Sequence, residues 1–269
     1  MAQAEAKTIF FTVLPPDRTQ QPTRSGIARL FRFATFAALL AASAAAQEPP
    51  IRFAAPIDPD NSTFLFIKSY MQALCAEAGL SCVLFSMPSP RIVVEMGHDQ
   101  IDVDMVRVSD FIEQKGLQDL YRRLDIPVIS LGFVIYTNAR SPAIDSWRQL
   151  GDQAHRIGFL RGALFAEQRL RELGGGNEWV PVTNFSYCAS MLAADRVDAC
   201  IAAEGLLSQD ARKLIESGKI HCGKVVEERA FFAHVNRHRP GLYPKLMAAQ
   251  QALHASGADR RLQGLLNTD

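Results

Sequence analysis

The sequence predicts an α/β protein built from two Rossmann-like lobes with a ligand cleft between them. Apolar runs of strand length alternate with segments whose apolar residues recur every three or four positions, the pattern of parallel strands joined by helices. The alternation occurs in two successive blocks, 50–137 and 138–223, and a last strand and helix in 224–269 suit a chain that returns to its first lobe. The chain has 269 residues, 48% of them hydrophobic, which suffices for such cores.

The first 46 residues are expected to be a leader and take no part in this fold. Three arginines between positions 24 and 32 precede an apolar stretch over 33–46, and Ala44 and Ala46 suit a signal-peptidase cut before Gln47. The apolar stretch is shorter than the roughly 20 residues that a spanning helix needs, so we expect cleavage rather than membrane insertion. Residues 1–23 are either an over-extended translation start or a polar extension. The mature protein is thus expected in the periplasm.

The first block contains the elements of one lobe. A strand over 51–55 precedes Asn61, which can cap a helix whose apolar residues share one face and which ends at Gly79. The other elements expected here are a strand over 82–87, a short helix over 89–97, and strands over 101–108 and 129–136.

The second block and the tail continue the alternation. Ser208 is expected to cap a helix that ends at Gly218, and the tail is expected to form a strand over 225–235 and then a helix from about residue 242. The other elements expected are helices over 145–150, 164–173 and 187–197 and strands over 156–160, 179–182 and 199–203.

All five cysteines lie beyond the expected leader, so export to an oxidising compartment permits disulfides. Cys75 and Cys82 are the best candidates for a bond, because a helix that ends near Gly79 and turns back into a strand brings them together. One cysteine must stay unpaired or pair with another molecule. For the other three, at positions 188, 200 and 222, the simplest expectation is that at least one is a small buried hydrophobic residue.

Two short motifs in the second block carry a family resemblance. Residues 158–162 read Gly-Phe-Leu-Arg-Gly, and residues 192–199 read Leu-Ala-Ala-Asp-Arg-Val-Asp-Ala. In order and spacing they resemble motifs of family 3 of the type 2 periplasmic solute-binding proteins, the transporter substrate-binding domains. The resemblance implies the periplasmic binding protein-like II fold, with a first lobe over 50–137 and 224–269 and a second lobe over 138–223.

The first lobe resembles a little-characterised branch of that family. Members of this branch have a proline-x-x-arginine helix start, a glycine turn and an Ile-Asp-Gly-Asp-x-x-Arg segment. Here Pro88 and Arg91 precede the segment Ile-Asp-Val-Asp-Met-Val-Arg, which ends at Arg107 and has Val103 in place of the glycine. The segment lacks the Thr-x-x-Arg with which amino-acid binders hold an α-carboxylate. Ala203 stands near the place of their acidic residue. The resemblance therefore does not imply an amino-acid ligand.

Candidate ligand-binding residues lie at or after the carboxyl ends of the expected strands, because ligands of open α/β sheets bind there. Arg107 can hold a carboxylate through two N–H groups, or instead form an ion pair with Asp104 or Asp110. Arg161 precedes a helix start that suits an anion, or it is a solvated turn residue. The full candidate set is Asp58, Asn61, Asp104, Arg107, Arg161, Gly162, Phe185 and Glu204.

Other functional classes find little support in the sequence. A net charge of +1 supplies no electrostatic footprint for nucleic acid. His234 and His238 have the spacing of two metal ligands on a helix, but their segment is expected to be strand and turn. The chain carries no nucleotide-binding loop, nucleophile elbow or zinc-protease motif, so no cofactor, metal or catalytic residue is expected.

The function expected from the resemblance is that of an exported, monomeric solute-binding protein. It would capture a small anionic or zwitterionic molecule by lobe closure and present the closed form to an ABC importer. One alternative is a periplasmic input domain for a signalling partner. The other is a small dehydratase-like enzyme on the same fold, in which Glu204 or Asp104 would act as acid or base.

Overall fold

The computed structural model describes residues 48–174, 176–264 and 266. The expected leader and its cleavage site lie outside the described residues. In the described part of the chain, no helix combines the length and hydrophobicity that a membrane span requires.

The nine strands of the described residues form one hydrogen-bonded sheet in the order β2-β1-β3-β9-β5-β8-β6-β7, with β4 paired to β9. The strands are β1 Ile51–Ala55, β2 Cys82–Ser86, β3 Val103–Val108, β4 Tyr121–Arg123, β5 Ile129–Asn138, β6 Arg156–Leu160, β7 Glu178–Val182, β8 Ala199–Ala203 and β9 Ile220–Asn236.

Two three-stranded parallel groups define two lobes. The first lobe has β1 between β2 and β3, and the second has β6 between β7 and β8, all in parallel. The long strands β5 and β9 pair antiparallel with each other and join the groups: β5 also pairs with β8, and the carboxyl-terminal part of β9 pairs with β3. The two-lobed α/β fold predicted from the sequence is confirmed, although the pairings at the centre are antiparallel.

The helices pack on this sheet, and most lie where the apolar periodicity of the sequence predicts them. Helix α3 and strand β4 are absent from the sequence-based prediction, because five and three residues are too few to show a period. The helices are α1 Ser62–Ala78, α2 Ser89–Gly97, α3 Phe111–Lys115, α4 Trp147–Gly151, α5 Leu164–Leu173, α6 Phe185–Ala193, α7 Gln209–Glu216, α8 Leu242–Ala255 and α9 Ala258–Gly264; a short 3-10 helix spans Glu204–Leu206.

Helix α1 shows how local sequence fixes these elements. The Asn61 side chain accepts a hydrogen bond from the backbone N–H of Thr63 at 2.8 Å, and Gly79 ends the helix in the left-handed conformation at φ 65°. The face that carries Ile67 and Leu74 is fully buried against the sheet. Burying an aliphatic side chain contributes about 1.5–3 kcal/mol, so this face holds the helix on the first lobe.

Two disulfides cross-link helices to neighbouring strands. The bond between Cys75 and Cys82 is present as predicted and joins α1 to β2. A second bond joins Cys188 in α6 to Cys200 in β8, and Cys222 is free and exposed, so the expectation of a buried unpaired cysteine among these three is wrong. The bond fits because Gly158 on β6 has no side chain: a Cβ there would lie 3.0 Å from the Cys200 sulfur.

Candidate functional site

A cavity of about 310 Å³ lies where the carboxyl ends of the strands of the two lobes face each other. This is the position at which open α/β sheets bind ligands. The first lobe contributes residues at or just after the carboxyl ends of β1, β2 and β3, and the second contributes residues at or just after the carboxyl ends of β6, β7 and β8. The lining segments are 56–58, 86–89, 106–108, 162–166, 183–185 and 201–203, together with five isolated apolar residues, Phe111, Phe133, Leu160, Leu206 and Phe231.

Arg107, near the end of β3, places its guanidinium in the wall of this cavity although the residue is only 5% exposed. Its Nε donates to Asp104 Oδ2 at 2.6 Å, one terminal nitrogen donates to the Ser89 hydroxyl, and the other donates to the Ser89 carbonyl oxygen at 3.0 Å. A guanidinium has five N–H donors. Within the part of the chain that the structure describes, two of them have no acceptor, and both belong to the terminal nitrogens.

Asp104 lies behind Arg107, fully buried and outside the cavity lining. Burial raises the pKa of this carboxyl group above its usual range, and the attraction of Arg107 opposes that shift. Asp110 pairs instead with Arg229, at 3.1 Å. Arg107 thus forms the ion pair with Asp104 that a structural role predicts, and it also faces the cavity.

The first turn of α5 supplies the opposite wall. Its N-cap residue is Ala163, which has no side-chain oxygen to cap the helix. Leu164, Phe165 and Ala166 line the cavity, and each residue is at most 5% exposed. Their backbone N–H groups have no hydrogen-bond acceptor among the described residues. Free N–H groups at a helix N-terminus attract anions.

Ser89 brings these two walls together. It accepts the hydrogen bonds of Arg107, and it also contacts Gly162, where a Cβ would lie 3.3 Å from the Ser89 hydroxyl oxygen. Gly162 has φ +81°, a left-handed conformation that suits glycine and turns the chain into α5. Arg107 and the turn that leads into α5 therefore both lie beside Ser89 in the cavity wall.

The remaining candidate residues take different places. Asp58 is exposed and lines the cavity, and Phe185 lines it with its ring 5.0 Å from that of Tyr136. Arg161 and Glu204 are exposed and lie outside the lining. Asn61 is buried outside the lining, where it caps α1 and donates to the Leu207 carbonyl oxygen of the second lobe at 2.8 Å.

Sequence reasoning missed the apolar wall of the cavity. Phe111, Phe133, Phe165 and Phe231 line it, yet each is less than 10% exposed. In a sequence such residues look like ordinary core. Ser89 was recognised only as a helix start, since its contact with Arg107 joins residues 18 positions apart.

A buried polar cluster lies beneath Arg107. Tyr121 and His234 stack edge-to-face around Phe111, and His234 is the register partner of Asp104 across β3 and β9. Burial lowers the pKa of His234 to about 3, so its imidazole is neutral. The described residues contain no group of three or more potential metal ligands, and His238 lies beyond the end of β9, so the two histidines share no helix face.

Comparisons with solved structures place this fold. An ancestral arginine-binding protein bound to glutamine is 17% identical with a TM-score of 0.64, covering 80% of this chain and 96% of that one. ArtJ, an arginine-, lysine-, histidine-binding protein from Geobacillus stearothermophilus, is 15% identical with a TM-score of 0.63, covering 80% and 94%. A histidine kinase sensor domain with similarity to periplasmic binding proteins is 12% identical with a TM-score of 0.65, covering 81% and 96%.

These likenesses show that the chain has the fold of type 2 periplasmic binding proteins. No protein-family model matches the sequence, and no curated protein matches it. The neighbours named above are binding proteins and a sensor domain rather than enzymes.

Proposed function

We propose that this chain is an exported, monomeric solute-binding protein that captures a small anionic ligand between its lobes. One observation carries the proposal: the buried guanidinium of Arg107 has two N–H groups with no acceptor among the described residues, and it lines the same cavity, of about 310 Å³, as the uncapped first turn of α5. A buried cation and free backbone amides are costly to leave unmatched. A ligand carboxylate satisfies both at once.

Closure of the lobes is the proposed mechanism. The first lobe would comprise 50–137 and 224–269 and the second 138–223, with the long strands β5 and β9 as the connection that bends. A ligand that contacts Arg107 in the first lobe and the α5 amides in the second stabilises the closed form through contacts that an open form lacks.

Polar contacts between the lobes support a closed arrangement in this structure. Thr63, at the start of α1, donates to the Gly205 carbonyl oxygen, and the Arg212 guanidinium of α7 donates to the Ser62 hydroxyl at 3.0 Å. Together with the bond from Asn61 to Leu207, they join the N-terminus of α1 to the 3-10 helix and α7. The closed surface they create is what a membrane partner would recognise.

An ABC importer is the proposed partner, because two further structural neighbours are substrate-binding proteins of amino-acid ABC transporters. A sensor partner is the second candidate, favoured by the histidine kinase sensor domain among the neighbours. An enzymatic role is not proposed: Glu204 lies outside the cavity lining, and Asp104 is held by Arg107. The leader, with cleavage before Gln47, remains a prediction that N-terminal sequencing of exported protein tests.

The binding proposal is tested by thermal shift with a panel of small anions: acetate, benzoate, 3-phenylpropanoate, succinate, phosphate and amino acids. At least one should stabilise the mature chain, because a ligand that binds only the folded state raises its melting temperature. The double variant Arg107→Met with Asp104→Leu should respond to none. Arg161→Ala, an exposed arginine outside the lining, is the matched control and should respond like the parent. No response from the parent, or an equal response from the double variant, would contradict the proposal.

A further inference from the structure

We infer that the ligand is a carboxylate with an apolar, aromatic body and without an ammonium group. This inference rests on the proposed function and narrows its ligand. It follows from how unequally charge and apolar surface are distributed along the cavity wall.

The body of the ligand would lie against a wall of phenylalanines. The rings of Phe133 and Phe165 are 4.6 Å apart, and those of Phe133 and Phe231 are 6.3 Å apart. Phe111 and Phe185 add further ring surface from α3 and α6. Aromatic rings favour an aromatic partner in offset or edge-to-face contact, whereas a polar body would lose its water against these rings without gaining hydrogen bonds from them.

Of the described residues that line the cavity, Arg107 alone carries a positive charge, and it lies beside Ser89. There the ligand carboxylate can accept the two free N–H groups of Arg107 and backbone N–H groups of 164–166. These are all donors. They select a group that only accepts, which is a property of a carboxylate.

An ammonium group finds no comparable partner. Of the described residues that line the cavity, Asp58 alone carries a carboxylate, and it is exposed. Asp104 is fully buried outside the lining, with its Oδ2 bound to Arg107. An ammonium group placed beside Arg107 would be desolvated next to a like charge, which opposes the binding of α-amino acids.

The size of the cavity limits the body to one ring with a short chain. Ligand pockets typically measure about 300–1,000 Å³, so a cavity of about 310 Å³ is at the small end. 3-Phenylpropanoate fits this description. It differs from L-phenylalanine only by the absence of the ammonium group, which makes the two a matched pair of probes.

Isothermal titration calorimetry of the mature chain with 3-phenylpropanoate, L-phenylalanine and butanoate tests the inference. We expect 3-phenylpropanoate to bind at least tenfold more tightly than L-phenylalanine, because of the ammonium group, and at least tenfold more tightly than butanoate, because of the ring. Equal or tighter binding of L-phenylalanine or butanoate would overturn the inference and leave the proposed function standing. The absence of 3-phenylpropanoate binding would overturn it too. The proposed function is overturned by different results, which are failure of the whole anion panel in the thermal-shift experiment or an equal response from the double variant.

A pair of phenylalanine variants tests the aromatic wall separately from stability. Phe185 lines the cavity, whereas Phe64, on α1, packs in the hydrophobic core outside the lining; both residues are 8% exposed. Phe185→Leu should weaken 3-phenylpropanoate several-fold and leave butanoate unchanged. Phe64→Leu should change neither affinity. Equal effects of the two variants on 3-phenylpropanoate would contradict the placement of the ring.

Discussion

Replacement of Arg107 by methionine should destabilise the folded protein as well as abolish binding. The substitution leaves Asp104 fully buried, without the 2.6 Å bond to its Oδ2 and with an Oδ1 that already has no partner in the described structure. Removing one partner of a buried ion pair costs about 3–5 kcal/mol. For a protein of 150 to 250 residues each kcal/mol lowers the melting temperature by about 2–4 °C, so a fall of roughly 6–20 °C is expected.

The double variant Arg107→Met with Asp104→Leu separates stability from binding. It removes both charges, and replacing a buried pair by apolar residues of similar volume is often neutral or stabilising. We therefore expect it to regain most of the lost stability, while 3-phenylpropanoate still fails to bind because the guanidinium is gone. Arg161→Ala, the exposed control, should stay within about 0.5 kcal/mol of the parent.

Urea denaturation gives the free energy of unfolding for the four proteins, and calorimetry gives their affinities. If the Arg107→Met variant were as stable as the parent, the expected cost of leaving Asp104 unpaired would be refuted. A double variant that binds 3-phenylpropanoate like the parent would refute the role of Arg107 as the ligand's anchor.

Three further predictions concern other parts of the molecule. Burial lowers the pKa of His234 to about 3, so below pH 6.5 the unfolded chain takes up a proton that the folded chain does not. This difference should lower the free energy of unfolding by roughly 2 kcal/mol between pH 6 and pH 4.5. The raised pKa of Asp104 acts in the opposite direction, so the readout is the comparison with His234→Gln, whose pH profile should be flatter; an identical profile would contradict it. Replacing Cys75 and Cys82 by alanine should cost about 2–3 kcal/mol for so short a loop, with ligand affinity unchanged; a loss of affinity in calorimetry would count against this. Gly162→Val should weaken binding at least tenfold, because a side chain at φ +81° is strained and meets the Ser89 hydroxyl; unchanged affinity would exclude that contact.

Much of the fold could be predicted because its signals are local. The cap at Asn61, the glycine after α1 and the apolar face between them lie within one stretch of sequence. The pairing of strands is not local. The 17-residue strand β9 joins both lobes through partners more than 80 positions away, and nothing within its own sequence shows that it pairs antiparallel with β5 and β3.

The candidate site could be predicted only in part for a related reason. The rule that ligands bind at strand ends predicts Arg107 and Gly162, and the structure brings both near one serine. The same rule selected Asn61 and Glu204, which lie outside the cavity lining. Strand ends indicate which edge of the sheet faces the ligand, but the direction of each side chain depends on packing between the lobes. The phenylalanines of the wall have the composition and burial of core residues, so sequence alone cannot distinguish the two roles.

The central claim is that a ligand carboxylate lies between Arg107 and the first turn of α5. A ¹H–¹⁵N NMR titration of the mature chain with 3-phenylpropanoate measures this directly, through the Nη–H signals of the Arg107 terminal nitrogens and the backbone amide signals of 164–166. Hydrogen bonds to the carboxylate should shift the amide protons of that turn and the guanidinium signal downfield in parallel, with one affinity. Saturable shifts confined to other parts of the chain, with these signals unmoved, would contradict the claim.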